Sequence, residues 1–585
     1  MNLKLRIVAL LLVILMCLTS CELSLEAIKN MIPGAQTTTV STTTTTKRSK
    51  KTTTKKTTTT TEKKEEEPKW LASEHSVTKR DLLERYTLTQ EEVDNTLALI
   101  DQMLEISMTA ESVEQFEAEF DPVYNAFDEA FTYIVQQFTI ARIIYYCNMK
   151  DEEAAERNLH TQDIAYAVQD KYNETCRTMY LESPYSEELF GDWSEESIQE
   201  LLDFDPKTSE LIKEVEALQV EFDNLSNSEF KEGSVALYKQ IIAKNNELAR
   251  YYGYDNYYDY ATERVYGRDY SAEDLDLYRQ YVIEYIVPTF DNINNGWREL
   301  YNFGDYAKGQ TISFLTEPFD TLNKNYAIGY LESLGDTNMG IAMRDVFDSK
   351  NCVFSYNENS HPTAFQVYLP TDETPFCLFG SEGQTSNTIV HEIGHYYAAY
   401  TNNDIDNYDL CETHSQGNEF LFIKYCEGKL SSKVYSAVRY YNLFNAYYSI
   451  VCAAAIDAFE QRVYSLESVE NMTSADFDAI MDEVLVEFGK DNAWFASNLT
   501  DMHDFWRKVA VSNPVYYISY SISSIAALEI FALAEEDYEN AILTYSKLVG
   551  GIEEEDGFLG ALEKAGLGSP FDEETHKHLA SMLSK

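Results

Sequence analysis

Residues 388–400 read Thr-Ile-Val-His-Glu-Ile-Gly-His-Tyr-Tyr-Ala-Ala-Tyr and contain His391, Glu392 and His395. On a helix, positions four apart lie one turn apart on one face. His391 and His395 can therefore offer two imidazole nitrogens to a single tetrahedral zinc at about 2.0–2.1 Å. Glu392 lies one residue round from His391, placed to take a proton from an attacking water and return it to a leaving amine. With 9 His among 585 residues, this spacing arises by chance in on the order of one per cent of chains of such composition. The plainer alternative is a surface helix with two solvated imidazoles. The apolar and aromatic flanks argue instead for a buried helix, where two unpaired imidazoles are costly and a metal satisfies them.

Two imidazoles leave a zinc in need of a third protein ligand, with the fourth position free for water. In the stretch 412–419, Glu-Thr-His-Ser-Gln-Gly-Asn-Glu, Glu419 lies 28 residues after His391, and Glu412 lies two helical turns earlier on the same face. The expectation is that Glu419 supplies the ligand carboxylate while Glu412 steadies a ligand imidazole from behind. Among 98 acidic residues, spacing alone does not settle that choice.

His391-Glu392-x-x-His395 followed by Glu412-x-x-Ser415-x-x-x-Glu419 resembles the pattern of the zinc oligopeptidases, the family of thimet oligopeptidase and oligoendopeptidase F and, more distantly, of angiotensin-converting enzyme. The likeness is strong over about residues 350–430 and again near 505–530. It implies one zinc ion held by His391, His395 and Glu419, with Glu392 as general base. It also implies a mainly α fold: a large two-lobed helical ellipsoid with a deep substrate channel and a small β-sheet beside the zinc-binding helices. His361-Pro362-Thr363-Ala364 resembles the family's substrate-binding edge strand, whose backbone pairs with an extended peptide, so His361 and Ala364 are expected to line the substrate. The stretch 512–520, Ser-Asn-Pro-Val-Tyr-Tyr-Ile-Ser-Tyr, resembles the family's Tyr-bearing segment. Ser512 or Asn513 is expected to cap a helix with Pro514 in its first turn, setting Tyr517 and Tyr520 one turn apart as hydroxyl donors to a developing oxyanion. The family has a His shortly before these Tyr. This chain has Val509-Ala510-Val511 there, and His503 is out of register.

The resemblance thus implies a zinc metalloendopeptidase acting on short peptides, the size restriction coming from the family's channel. A non-catalytic peptide-binding lipoprotein on the same scaffold has no need of Glu392. A carboxypeptidase or dipeptidyl carboxypeptidase requires a cationic group for the substrate carboxylate, and no residue in the sequence marks one.

The elements that must position these residues are mostly helical. Asp81 to Leu104, Val113 to Tyr146, Glu210 to Tyr252 and Leu275 to Ile286 repeat apolar residues every three or four positions between acidic faces. Leu443 to Phe459 and Tyr516 to Leu533 are nearly uncharged, as helices buried inside a large protein are. Strand signals cluster in one place, at Cys352–Tyr356, Ala364–Leu369 and Pro375–Phe379, just before the His-bearing helix.

Lys4 and Arg6 precede an apolar run from Ile7 to Leu18, too short to span a bilayer, which ends Leu18-Thr19-Ser20-Cys21. That end resembles a bacterial lipobox and predicts a signal peptide over 1–20 with a diacylglyceryl anchor on Cys21. Residues 21–68, rich in Thr and Lys, hold too little apolar material to fold and read as a tether. Residues 69–585 read as one body. The expected location is the bacterial cell surface, on the outer face of the cytoplasmic membrane. The chain's −52 divides into +5 over residues 1–68 and −57 over the body, which excludes nucleic-acid binding by the body and favours neutral or cationic peptides. Of the body's seven cysteines, Cys352 and Cys377 are the candidate bridge, and the other five read as buried small hydrophobes.

Overall fold

The computed structural model describes residues 71–584 apart from 192, 194, 204–205, 224, 227, 299–304, 317–323, 382–383, 402–406, 490–492 and 553–555. The signal segment, Cys21 and the tether lie outside the described residues.

The structure is mainly α, with one three-stranded sheet among the described residues. Helices α1 (Gln90–Thr109), α2 (Val113–Tyr146) and α3 (Glu152–Glu182) close around an apolar core of their own, built from residues such as Ile100, Phe120, Phe127 and Tyr172. The single helix expected from 81 to 104 is two, because the sequence carries two start signals. Thr78 with Asp81 and Thr89 with Glu92 each form a reciprocal capping box, and the second box restarts the helix after Arg85. The periodic stretch 210–252 also divides, into Pro206–Asp223 and α4 (Phe230–Tyr251). Between them the Ser226 N–H donates to the Glu229 carboxylate at 3.3 Å and closes a turn. The stretch expected at 275–286 is helical from Ala272 to Tyr281 and finishes as a π-helical turn over Val282–Ile286.

The strands are β1 (Cys352–Phe354), β2 (Ala364–Leu369) and β3 (Thr374–Phe379), in spatial order β1-β3-β2. β1 runs parallel to β3, while β2 runs antiparallel to it with Ala364 opposite Phe379, so β2 is an edge strand. Alternation sends the two faces to different partners. Phe365, Val367, Phe376 and Leu378 pack with Ile140, Ile143 and Ile144 of α2. Cys352, Ala364, Cys377 and Phe379 face the main core.

That main core is built on α5 (Ser386–Tyr400), α6 (Tyr408–Tyr425), α7 (Ser432–Tyr464) and α8 (Ile518–Glu536). The sheet lies between α2 and α5 and so ties the N-terminal helices to the helix carrying His391 and His395. α8 is long and apolar enough to cross a membrane, but 83% of its most apolar window is buried inside the fold, as a core helix is. It begins two residues later than its composition suggests, since Pro514 and Val515 form a turn instead of a first helical turn and neither Ser512 nor Asn513 caps it. Cys352 and Cys377 do lie opposite each other in the β1–β3 register, but both are free: the Cys352 thiol donates to His75 O at 3.4 Å and the Cys377 thiol to Glu392 O at 3.9 Å. Cys147, Cys176, Cys426 and Cys452 are buried as expected, and Cys411 is half-buried.

Candidate active site

Two helices and one turn build the site. α5 opens where the Thr385 hydroxyl accepts from the Thr388 N–H at 3.2 Å, and α6 where Asn407 accepts from the Leu410 N–H at 3.0 Å. The helices press together at Gly394. A Cβ there would lie 2.7 Å from both His414 O and Ser415 Cα, closer than side chains approach backbone, so the intervening glycine of the His-Glu-x-x-His run is needed for contact. Asn418 fixes the pair across this seam: its Nδ2 donates to Val390 O at 2.7 Å, and its Oδ1 accepts from the Tyr330 hydroxyl at 2.6 Å.

The close approach brings three donor groups together. One ligand atom each from His391, His395 and Glu412 lies within 4.8 Å of the others, and the two rings stand 5.0 Å apart at 75°. Glu412 Oε2 is 3.7 Å from His391 Nε2. Glu419 is on the other side of the His391 ring, where Nδ1–H donates to Glu419 Oε1 at 2.5 Å and Asn387 Nδ2 donates to the second carboxylate oxygen. The structure thus groups Glu412, and not the expected Glu419, with the two imidazoles. Glu412 joins the imidazoles, and Glu419 holds His391 from behind. The cause is the ring itself. A nitrogen that donates its proton to Glu419 leaves only the opposite nitrogen free to bind a metal, and Glu419 cannot reach round to share it.

His391, Glu392 and Glu412 are buried, while His395 and Glu419 are half-buried. His391 Nε2 and Glu392 Oε1 are buried with no hydrogen-bond partner among the described residues. An uncompensated imidazole nitrogen beside an uncompensated carboxylate oxygen is the arrangement a bound cation would satisfy, and the two-nitrogen, one-oxygen donor set suits zinc. The electrostatics agree. Burial pushes the Glu392 carboxyl up to about 8, opposed by His391 and reinforced by the charges of Glu412 and Glu419. Burial alone would depress His391, but the bond and charge of Glu419, with Glu392 and Glu412, raise it to about 9. His395 is held well below the usual imidazole range by burial and by His391 and His414. Burial also raises Glu412, against the His391 charge and hydrogen bonds from Ser415, Tyr516 and Tyr520.

The turn before α8 delivers the tyrosines. The Tyr516 hydroxyl donates to Glu412 Oε1 at 3.3 Å, and Tyr520 also bonds Glu412. Tyr517 packs on Tyr520, with ring centroids 5.1 Å apart, and on Phe505 at 5.2 Å. Of the expected pair, Tyr520 thus meets the donor cluster directly, and Tyr517 lies against it. Tyr516, Asn387 and Asn418 were not singled out from the sequence. Asn387 is one turn before His391 on the same face, and Tyr516 one turn before Tyr520, a spacing that marks them only once the site is known. His503 is elsewhere, with Nε2 3.2 Å from Asp482 Oδ1, and Ala510 is buried in the core. His361 precedes the edge strand, its ring 4.7 Å from that of Tyr146 and its Nδ1 3.0 Å from Thr363 Oγ1. Ala364 is fully buried on the α5 side of β2.

No family model matches the chain, and no curated protein matches it in sequence. Solved structures do. A protein assigned as an oligoendopeptidase F superposes with a TM-score of 0.66 at 18% identity, covering 86% of this chain and 97% of the other. PZ peptidase A, determined with an inhibitor, gives 0.63 at 17% identity over 85% and 97%. A protein from Bacillus anthracis str. Ames assigned as an oligoendopeptidase F gives 0.60 at 16% identity over 85% and 95%. The chain shares their fold along nearly the whole length of each.

Proposed function

We propose that the protein is a zinc metallopeptidase that hydrolyses short peptides at internal bonds. The observation that carries this reading is the buried constellation of His391, His395 and Glu412 with the unpartnered Glu392 oxygen beside it. A binding protein has no use for a buried carboxylate aimed at nothing, and the fold shared with proteins assigned as oligoendopeptidase F supports the same class. A zinc ion held by these three side chains would supply a Lewis acid for the scissile carbonyl and a positive charge that would keep Glu392 ionised.

The chain's own residues do the rest. Glu392 takes a proton from the attacking water at Oε1 and hands it to the departing amine. Glu419 accepts the His391 Nδ1 proton and so fixes the tautomer that presents Nε2, while Asn387 fixes Glu419. Tyr520, with Tyr517 packed on it, donates its hydroxyl to the oxyanion of the tetrahedral intermediate. The edge strand β2, entered through His361 and Ala364, pairs with the extended substrate backbone. The acidic body favours neutral or cationic peptides. Export and anchoring through lipidated Cys21 belong to the same reading and hold the enzyme at the outer face of the membrane; incorporation of labelled fatty acid that Cys21→Ala abolishes is the expected result.

The test uses internally quenched peptides of graded length with the zinc-loaded protein, with and without a chelator, beside Glu392→Gln. Chelator-sensitive cleavage at internal bonds that Glu392→Gln abolishes is expected. Equal cleavage by Glu392→Gln, or none by the zinc-loaded parent, would refute the assignment.

A further inference from the structure

The turn that carries the tyrosines is held in a backbone conformation its own sequence disfavours. Val515 has φ +64°, the left-handed region that suits glycine, and β-branched residues there are outliers. Locally the Tyr516 N–H closes the turn on Asn513 O at 3.3 Å. Groups from distant parts of the chain grip it further. The Val515 N–H donates to Glu460 Oε1 of α7 at 2.8 Å. Arg268 Nη2 donates to Val515 O at 2.9 Å and to Ser519 Oγ at 3.1 Å. The Tyr266 hydroxyl donates to Pro514 O at 2.6 Å, and Gln219 Nε2 to Ser512 O at 2.8 Å.

Glu460 and Arg268 are 1% and 6% exposed. Burying a carboxyl group and a guanidinium is costly unless each finds hydrogen-bond partners. Both groups meet the backbone of one turn, and Tyr516 within it and Tyr520 just beyond it reach Glu412. A strained conformation kept by groups that over-determine it, next to a site, is the arrangement expected where geometry serves chemistry.

We propose that Glu460 and Arg268 are positioning residues for peptide hydrolysis: they hold the 513–517 turn in its left-handed form so that the tyrosine hydroxyls stand at the donor cluster. This rests on the peptidase reading above. Neither residue touches substrate; each acts through Val515. If the clamp exists to impose one backbone conformation, then glycine at 515, which adopts that conformation freely, should make the clamp dispensable.

The test compares Glu460→Leu, Glu460→Gln, Val515→Gly and the double variant Glu460→Leu/Val515→Gly, each zinc-loaded, by steady-state kinetics on a quenched peptide with zinc content measured in parallel. Glu460→Leu should lower kcat at least about tenfold, with KM and zinc content nearly unchanged. Glu460→Gln keeps an acceptor for the Val515 N–H and should stay within about threefold of the parent. Val515→Gly in the Glu460→Leu background should restore most of the lost kcat. Should Glu460→Leu fail to fold, Arg268→Lys with and without Val515→Gly asks the same question from the carbonyl side of the turn, with the same loss and rescue expected. Unchanged kcat in Glu460→Leu, equal loss in Glu460→Gln, or no rescue by Val515→Gly overturns the positioning role while leaving the peptidase reading intact. A zinc-loaded parent that cleaves no peptide overturns both.

Discussion

Glu412→Gln and Glu419→Gln are the same chemical change two turns apart on one helix, yet the structure assigns them different consequences. Glu412 offers its oxygen alongside His391 Nε2 and His395, whereas Glu419 receives the proton of His391 Nδ1. Zinc sites with four protein ligands gain about 10–16 kcal/mol, or roughly 2.5–4 kcal/mol per ligand. Exchanging the Glu412 carboxylate for a neutral amide forfeits most of one such share, so zinc affinity should fall on the order of a few hundredfold, at about 1.4 kcal/mol per decade. Partners that orient a ligand imidazole are worth roughly tenfold to a hundredfold. Gln at 419 retains an acceptor for Nδ1–H, so its loss should lie at or below the lower end of that range.

The assay is competition against a chromogenic zinc chelator at fixed pH, with urea unfolding of the metal-free variants as a control that both fold. Cobalt substitution adds a readout independent of affinity. The visible spectrum reports the donor atoms, so Glu412→Gln should change its intensity and position while Glu419→Gln should leave it close to that of the parent. A larger affinity loss in Glu419→Gln than in Glu412→Gln, or a cobalt spectrum altered only by the former, would refute the assignment and return Glu419 to the donor set.

Further outcomes follow from the same geometry. Gly394→Ala places a Cβ 2.7 Å from His414 O and Ser415 Cα, so α5 and α6 must separate; a stability loss of about 1–3 kcal/mol in urea and weakened zinc binding are expected together. Tyr520→Phe should lower kcat about a hundredfold with KM little changed, as removal of one oxyanion donor does, and equal kcat would discard that role. His576 is fully buried with Nε2 2.7 Å from Pro570 O, and burial depresses its pKa to about 4 from 6.5. Its contribution to stability is complete above pH 6.5 and is lost as pH falls through 4. Between pH 7.5 and 5 the protein should lose about 2 kcal/mol that His576→Gln does not lose, as read by urea unfolding at both pH values.

What the sequence revealed of this site, and what it hid, follows from where the information resides. A period of three or four apolar residues is local, so the helix over 113–146 and the strand cluster before α5 are readable directly, whereas of the helix over 432–464 only the uncharged stretch 443–459 shows in the sequence. Helix ends depend on single side chains: the capping box at Thr89 divided one periodic stretch, and the turn at Pro514–Val515 delayed α8. His391 and His395 were legible because both lie on one helix, where the spacing fixes their relation. The third donor comes from a second helix, and there the spacing is silent. Glu412 and Glu419 are seven residues apart and point the same way from α6, so a helical wheel cannot tell them apart. About 10.5 Å of helix rise separates them, which no single metal can bridge, and the choice is made by where α6 slides along α5. That register is set by the bare Cα of Gly394 against His414 and by the bond from Asn418 to Val390 O. It places Glu412 on the Nε2 side of His391 and Glu419 on the Nδ1 side. Which of the two carboxylates joins the imidazoles is therefore decided by a glycine and an asparagine that lie outside the donor cluster.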